Sequence, residues 1–189
     1  MAEDALAVLP GEAASVLKFW FDDVQPEQWW KQDDQVDKTV REQFSILHEK
    51  LASTVPADWL ETARGRLAAV IVLDQFPRNL FRGSPKAFES DAKALALAED
   101  AVNLGFDKAL TKDERVFLYL PFEHSEDAQA QARSIALFEE LGDQGYLDFA
   151  RKHKLVLDRF GRFPHRNAVL GRKTTDDERE FLEQESWFW

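Results

Sequence analysis

Apolar residues recur at helical spacing along nearly the whole chain. Ala13, Leu17, Trp20 and Phe21 follow Pro10-Gly11 as one stripe, and Val36, Val40, Phe44, Leu47 and Leu51 form a second with charge on the opposite face. The pattern predicts eight helices. The first runs from Gly11 to about Asp22 and the second from about Asp34 to Thr54, where Pro56 stops it. The third, from about Asp58 to Phe76, carries Leu60, Ala63, Leu67, Val70, Ile71 and Leu73 and reads as buried all round in its last turns. Pro77 is expected to end it.

A fourth helix is expected to start with Ser84 as cap and Pro85 as its first residue, and to end at Gly105. Thr111-Lys-Asp-Glu114 reads as a capping box opening a fifth, which Pro121 should close. Ser125 is expected to cap a sixth that ends at Gly142. Tyr146, Phe149, His153, Leu157 and Phe160 trace a seventh ended by Gly161, and Thr175-Asp-Asp-Glu178 is a second capping box, for a short eighth. No segment alternates at period two for the length of a strand. The fold class is therefore all-α: an array of about eight antiparallel helices joined by short turns, with residues 1–189 forming a single domain.

Composition narrows the function classes. A hydrophobic content of 44% beside 31% charged residues fits a globular protein rather than a disordered one. A net charge of −11 argues against nucleic acid as a general partner. The charge is uneven: residues 151–173 hold eight Lys or Arg against one acid, Asp158, a local balance of +7, so the remainder carries −18. With Phe160, Gly161, Phe163 and Pro164 inside it, the basic run reads either as a solvated face or as a positive pocket in an acidic body. The chain has no cysteine, which excludes thiolate chemistry and Cys-based zinc sites. The N-terminus lacks the pattern of a secretory signal, and the longest apolar run, Leu67 to Leu73, is too short to span a membrane. A cytoplasmic protein with no membrane partner is the expectation.

The candidate chemistry centres on a duplicated pattern. LDQFPRNLFRG, from Leu73 to Gly83, is echoed by LDRFGRFPHRNAVLGR, from Leu157 to Arg172. In both, Leu-Asp-x-Phe and a proline are followed by an Arg-Asn pair, which reads as a turn at a helix C-terminus. Arg supplies a planar fork of donors that suits a carboxylate or phosphate. Between the two copies lies Glu123-His-Ser-Glu126; with Ser125 as a helix cap, His124 would sit by a helix N-terminus, neutral and available as a base.

KFWFDD followed by WW, LDQFPRNLFRG, LPFEHSED and RFGRFPHRNAVLGR, in this order, resemble a bacterial family whose function is not known. The resemblance spreads over most of the chain and implies an all-helical fold similar to tetratricopeptide repeats. It implies no catalytic assignment. No tetratricopeptide pattern at a 34-residue period is visible in the sequence itself.

Three segments are thus expected to line one positively charged pocket for a small anionic ligand. Asp74, Arg78, Asn79, Arg82, Ser125, Arg162, Arg166 and Asn167 are the candidate binding residues, and His124, His165 and Glu126 the candidate acid–base groups. The plainer reading is that Arg78 and Arg166 cap helices and pair with Asp74 and Asp158, while Asn79 and Asn167 satisfy turn backbone. His48 and His153 read as packing or surface histidines. No cofactor motif occurs, and no His or Glu spacing sets two metal ligands on one helical face. An alternative of a different class is an adaptor whose concave face binds an acidic peptide. Trp187-Phe188-Trp189, at the chain end, is a candidate for docking on its own domain or for a homodimer contact.

Overall fold

The computed structural model describes residues 9–184. These contain helices and turns and no strand. The helices are α1 (Gly11–Lys18), α2 (Asp34–Ser53), α3 (Ala63–Val70), α4 (Phe76–Leu80), α5 (Asp91–Asn103), α6 (Lys112–His124), α7 (Ala128–Leu141), α8 (Gln144–Phe160) and α9 (Asp176–Gln184). A π-helical stretch, Ile71–Gln75, joins α3 to α4, so the run from Ala63 to Leu80 is one helix and the array has the expected eight. The aromatic tail Trp187–Trp189 lies outside the described residues.

Most of the expected boundaries hold because local chemistry sets them. Asp33 accepts from the backbone N–H of Gln35 and Val36 and starts α2. The Thr111–Glu114 capping box opens α6, and its counterpart opens α9, where Glu178 accepts from the Thr175 N–H at 2.8 Å. Gly142 and Gly161 end α7 and α8 with φ of 75° and 67°, values that cost a residue with a Cβ. The C-terminus of α2 is closed from outside: Lys93 Nζ on α5 donates to the carbonyls of Leu51, Ala52 and Ser53 at 2.8–3.0 Å.

Two of the three prolines expected to end a helix lie inside one instead. Pro77 falls within α4 and Pro121 within α6. A helical proline strands the carbonyl four residues earlier. For Pro77 that carbonyl is Leu73's, and Ser90 Oγ fills the vacancy with a buried hydrogen bond of 2.7 Å. The π-stretch immediately before Pro77, with the Phe76 N–H bonded to the Ile71 carbonyl, loosens the backbone where the ring must fit. Ser90 is thereby drawn away from a capping role, and the expected fourth helix is split. Ser84 opens only the short 3₁₀ turn Pro85–Phe88, and α5 begins afresh at Asp91.

A further correction falls on Ser125. It ends α6, and its Oγ accepts from the Asp127 N–H; Asp127 is the cap of α7, accepting from Gln129 and Ala130. His124 is consequently the last residue of a helix, at its negative end, rather than beside a positive one.

The composite helix α3–α4 forms the axis of the core. Every residue from Leu67 to Leu73 is at 0% exposure, and α1, α2, α5 and α6 pack around it. Phe19, Trp20, Phe44, Phe76 and Phe117 interlock beside it with ring centroids 5.0–6.4 Å apart. Trp29 Nε1 donates to the Trp20 carbonyl at 2.8 Å, which ties the turn after α1 to this core. α7 then packs on α6 and α8 on α7. Deleting the hydroxyl that serves Leu73 leaves a buried carbonyl without a donor. Ser90→Ala is therefore expected to cost about 1–3 kcal/mol in urea unfolding, whereas Ser84→Ala, whose oxygen accepts a long 3.4 Å bond at the surface, is expected to cost less.

Candidate functional site

The π-stretch turns Asp74 inward, to 0% exposure, where its carboxylate meets the end of α6. His124 Nδ1 lies 2.8 Å from Asp74 Oδ1 and 3.0 Å from Oδ2. Gln75 Nε2 donates to Oδ2 at 2.5 Å, and an Arg78 Nη reaches Oδ1 at 3.5 Å as well as the Asp74 carbonyl. Arg78 then grips Asp91, the first residue of α5, with two parallel bonds of 3.0 and 3.1 Å.

The second copy of the pattern arrives from the other side. Pro164–Arg166 forms a 3₁₀ turn after α8, and Arg166 projects toward the same Asp91, at 3.7 Å from Oδ2. Its Cζ lies over the rings of Phe88 and Phe163, at 4.7 and 4.8 Å. The Arg166 side chain is only 9% exposed, yet its guanidinium makes no hydrogen bond to any described residue, and Nε is a buried donor without an acceptor. His153 on α8 completes the group, with Nδ1 3.1 Å from Glu123 Oε1 and 3.0 Å from the Phe149 carbonyl.

Of the residues singled out from sequence, Asp74, Arg78, His124, His165 and Arg166 come together. The others have different partners. Asn79 and Arg82 both turn to Asp37 on α2, with bonds of 2.7 Å from Asn79 Nδ2 and 2.9–3.2 Å from Arg82. Asn167 and Arg162 turn to Glu178 on α9, at 3.1 and 2.6–2.9 Å. Glu126 does not orient a histidine; it accepts from the Phe163 N–H and from Arg172. Ser125 serves its own turn, and Asp158 pairs with Lys154 at the surface rather than with Arg166. Neither of two surface pockets, of about 420 and 370 Å³, is lined by Asp74, Arg78, His124, His165 or Arg166. Among the described residues no cluster of three or more metal-ligating side chains occurs.

Asp91 and His153 belong to the group and were missed. His153 does carry a signal, a polar residue on the apolar stripe of α8. Asp91 carries none, since an acid in the first turn of a helix is ordinary.

The comparisons fit this fold. A family model described as a bacterial protein of unknown function, DUF924, matches residues 16–186. The chain belongs to that family. A solved structure of a protein of unknown function, ATU0120 from Agrobacterium tumefaciens, is 41% identical, covers 92% of this chain and 97% of its own, and has a TM-score of 0.87. No curated protein matches the chain.

Electrostatics assign the protons in this DUF924 chain. Burial alone would raise the pKa of Asp74, but Arg78 and His124 outweigh it and hold the carboxyl at about 2. An ionised Asp74 only accepts, so His124 Nδ1 carries the hydrogen. Burial, opposed by Asp74, lowers the His124 pKa, which leaves a neutral ring with its lone pair on Nε2, away from Asp74. Burial pushes His153 and His165 down to about 3, and burial followed by the charge of Asp74 pushes Glu123 up to about 8. Arg166, lowered by burial and by Arg78 to about 10, remains charged at neutral pH.

Stability should follow these shifts. The histidines, including His48, are lowered on folding, so the unfolded chain binds more protons and stability falls as pH drops below about 6.5. Glu123 is raised, so its contribution is complete below about 4.5 and is lost as pH rises toward 8. Between about pH 6.5 and 8 only the second effect operates among these groups. Glu123→Gln is expected to flatten the loss of melting temperature over that window and to steepen the fall between about pH 6.5 and 4.5, where Glu123 opposes the histidines. Parallel curves for both proteins would refute the assignment.

Proposed function

We propose that the chain binds a small anionic compound at Arg166 and that His124, oriented by Asp74, serves there as a general base. One observation carries the reading: a guanidinium nine-tenths buried, charged, and without a hydrogen bond. Such a group is expensive to keep unless an acceptor arrives, because burying charged donors without partners forfeits their hydration. Arg78 is already committed to Asp91 and Asp74; Arg166 is the cation with capacity to spare.

The pairing of Asp74 with His124 Nδ1 is what a base of this kind requires. The carboxylate fixes the tautomer and stabilises the imidazolium that forms when Nε2 takes a proton from water or from the ligand. Among the described residues no serine, threonine or cysteine stands in hydrogen-bond contact with His124, so the chemistry that fits is proton abstraction or attack by water, not an acyl-enzyme. No helix among the described residues is long and apolar enough to cross a membrane, and the site is read as that of a cytoplasmic protein.

A peptide-binding reading draws on the groove of about 420 Å³ between α7 and α8, lined by Ala132, Ile135 and Leu155. Its cations are already paired, Arg151 with Glu139 and Asp148 and Lys154 with Asp158, which leaves little to recognise an acidic partner. The small-anion reading is favoured.

A thermal-shift panel of inorganic phosphate, sulfate and small carboxylates tests it. At least one anion is expected to raise the melting temperature of the wild type by several degrees, with no rise in Arg166→Met. His124→Gln is expected to keep the rise and to lose any turnover found for that compound. An equal rise in wild type and Arg166→Met would place the anion elsewhere and sink the reading.

A further inference from the structure

We infer that the ligand of this site is a monocarboxylate and not a phosphate dianion. The inference rests on the small-anion reading and deepens it. Two independent features of the surroundings carry it: the charge already present and the aromatic rings packed against Arg166.

The charge is balanced before any ligand arrives. Asp74 and Asp91 contribute two negative charges and Arg78 and Arg166 two positive ones; burial raises the Asp91 pKa, and the bidentate grip of Arg78 opposes that rise. Glu123 is kept protonated and His124, His153 and His165 neutral by burial, so they add nothing at neutral pH. A monoanion therefore leaves the cluster one charge short of neutrality. A dianion leaves it two short, beside Asp91 and, among the described residues of the cluster, with no second uncommitted cation to meet it. In a weakly screened interior the like-charge repulsion acts nearly in full. Phosphate sites assembled from side chains rely on several free donors converging; here Arg78, which would supply them, is saturated by the protein's own carboxylates.

The aromatic surroundings of Arg166 act in the same direction. Arg166 Cζ lies over the rings of Phe88 and Phe163, 4.7 and 4.8 Å from their centroids, so apolar carbon makes up much of its surroundings and leaves a ligand the hydrogen-bonding edge of the fork. A carboxylate is planar and lies in the plane of the fork with two parallel N–H···O bonds. A tetrahedral phosphate extends oxygens above and below that plane, toward phenyl carbons that cannot donate to them. The same rings offer an apolar wall to the carbon attached to a carboxylate.

Isothermal titration at pH 7.5 and matched ionic strength, with acetate, butyrate, benzoate and inorganic phosphate as probes, separates the outcomes. At least one carboxylate is expected to bind ten times more tightly than phosphate. Arg166→Lys, which keeps the charge and loses the fork, is expected to weaken that carboxylate tenfold or more, whereas a site reading charge alone would tolerate it. Because Arg166 variants bear on packing against two rings, the wild-type guanidinium N–H resonances supply a second readout. They should shift on adding the carboxylate and stay in place with phosphate at the same concentration. Phosphate equal to or tighter than every carboxylate, with binding still lost in Arg166→Met, would overturn the monocarboxylate inference and leave the anion reading standing. No binding of any probe and no movement of the arginine resonances would overturn both.

Discussion

Asp74 is a carboxylate with no exposure to solvent, and an ionised acid in that position is tolerable only if its oxygens are answered. Gln75, Arg78 and His124 answer them. Each answer also fixes a piece of the fold. His124 ties the end of α6 to the α3–α4 helix, and Arg78 carries the connection on to Asp91 at the start of α5. From Asp91 it reaches the turn after α8 through Arg166. The demand of one buried charge thus extends through four separated stretches of chain. The histidine that meets this demand is also the group with a free basic nitrogen, so the interaction that holds the helices together poises the candidate base.

The duplicated Arg-Asn pattern divides its labour the same way in both copies. One arginine and the asparagine are anchors: Arg82 with Asn79 on Asp37, and Arg162 with Asn167 on Glu178. Of the other arginines, Arg78 in the first copy and Arg166 in the second point inward toward Asp91. The residue order is reversed between the copies, yet both roles survive, because the anchoring carboxylates come from helices on either side of the array. The two inner arginines are then distinguished by company alone. Arg78 has acids on both sides and is satisfied; Arg166 has aromatic rings and one distant acid and is not.

Helix positions were legible wherever a short-range rule decides them. Both capping boxes and the glycines at 142 and 161 act on backbone within a few residues, and the structure uses them as expected. The rules failed where a distant group changed the balance. Pro77 did not stop its helix because Ser90, thirteen residues on, supplied a donor to the carbonyl it stranded. Ser125 looked like a cap by residue type, but Asp127, two residues later, offers a charged acceptor to two N–H groups at once and takes the role. His124 accordingly faces a helix C-terminus, and its neutrality comes from burial instead of a dipole.

The sequence by itself determined the all-helical class, most caps and ends, and the buried stretch from Leu67 to Leu73, and it offered the two Arg-rich segments with Glu123-His124 between them as a candidate site. Those features depend on periodicity, backbone geometry and residue chemistry, all of which act locally. Only the tertiary structure decided which arginine of each turn is spent on an anchor and which is available. It also recruited Asp91 and His153 and turned Glu126 into a clamp for Arg172. Those outcomes hinge on which carboxylate lies within about 3 Å of which guanidinium once the helices have packed, and no spacing along the chain encodes that distance.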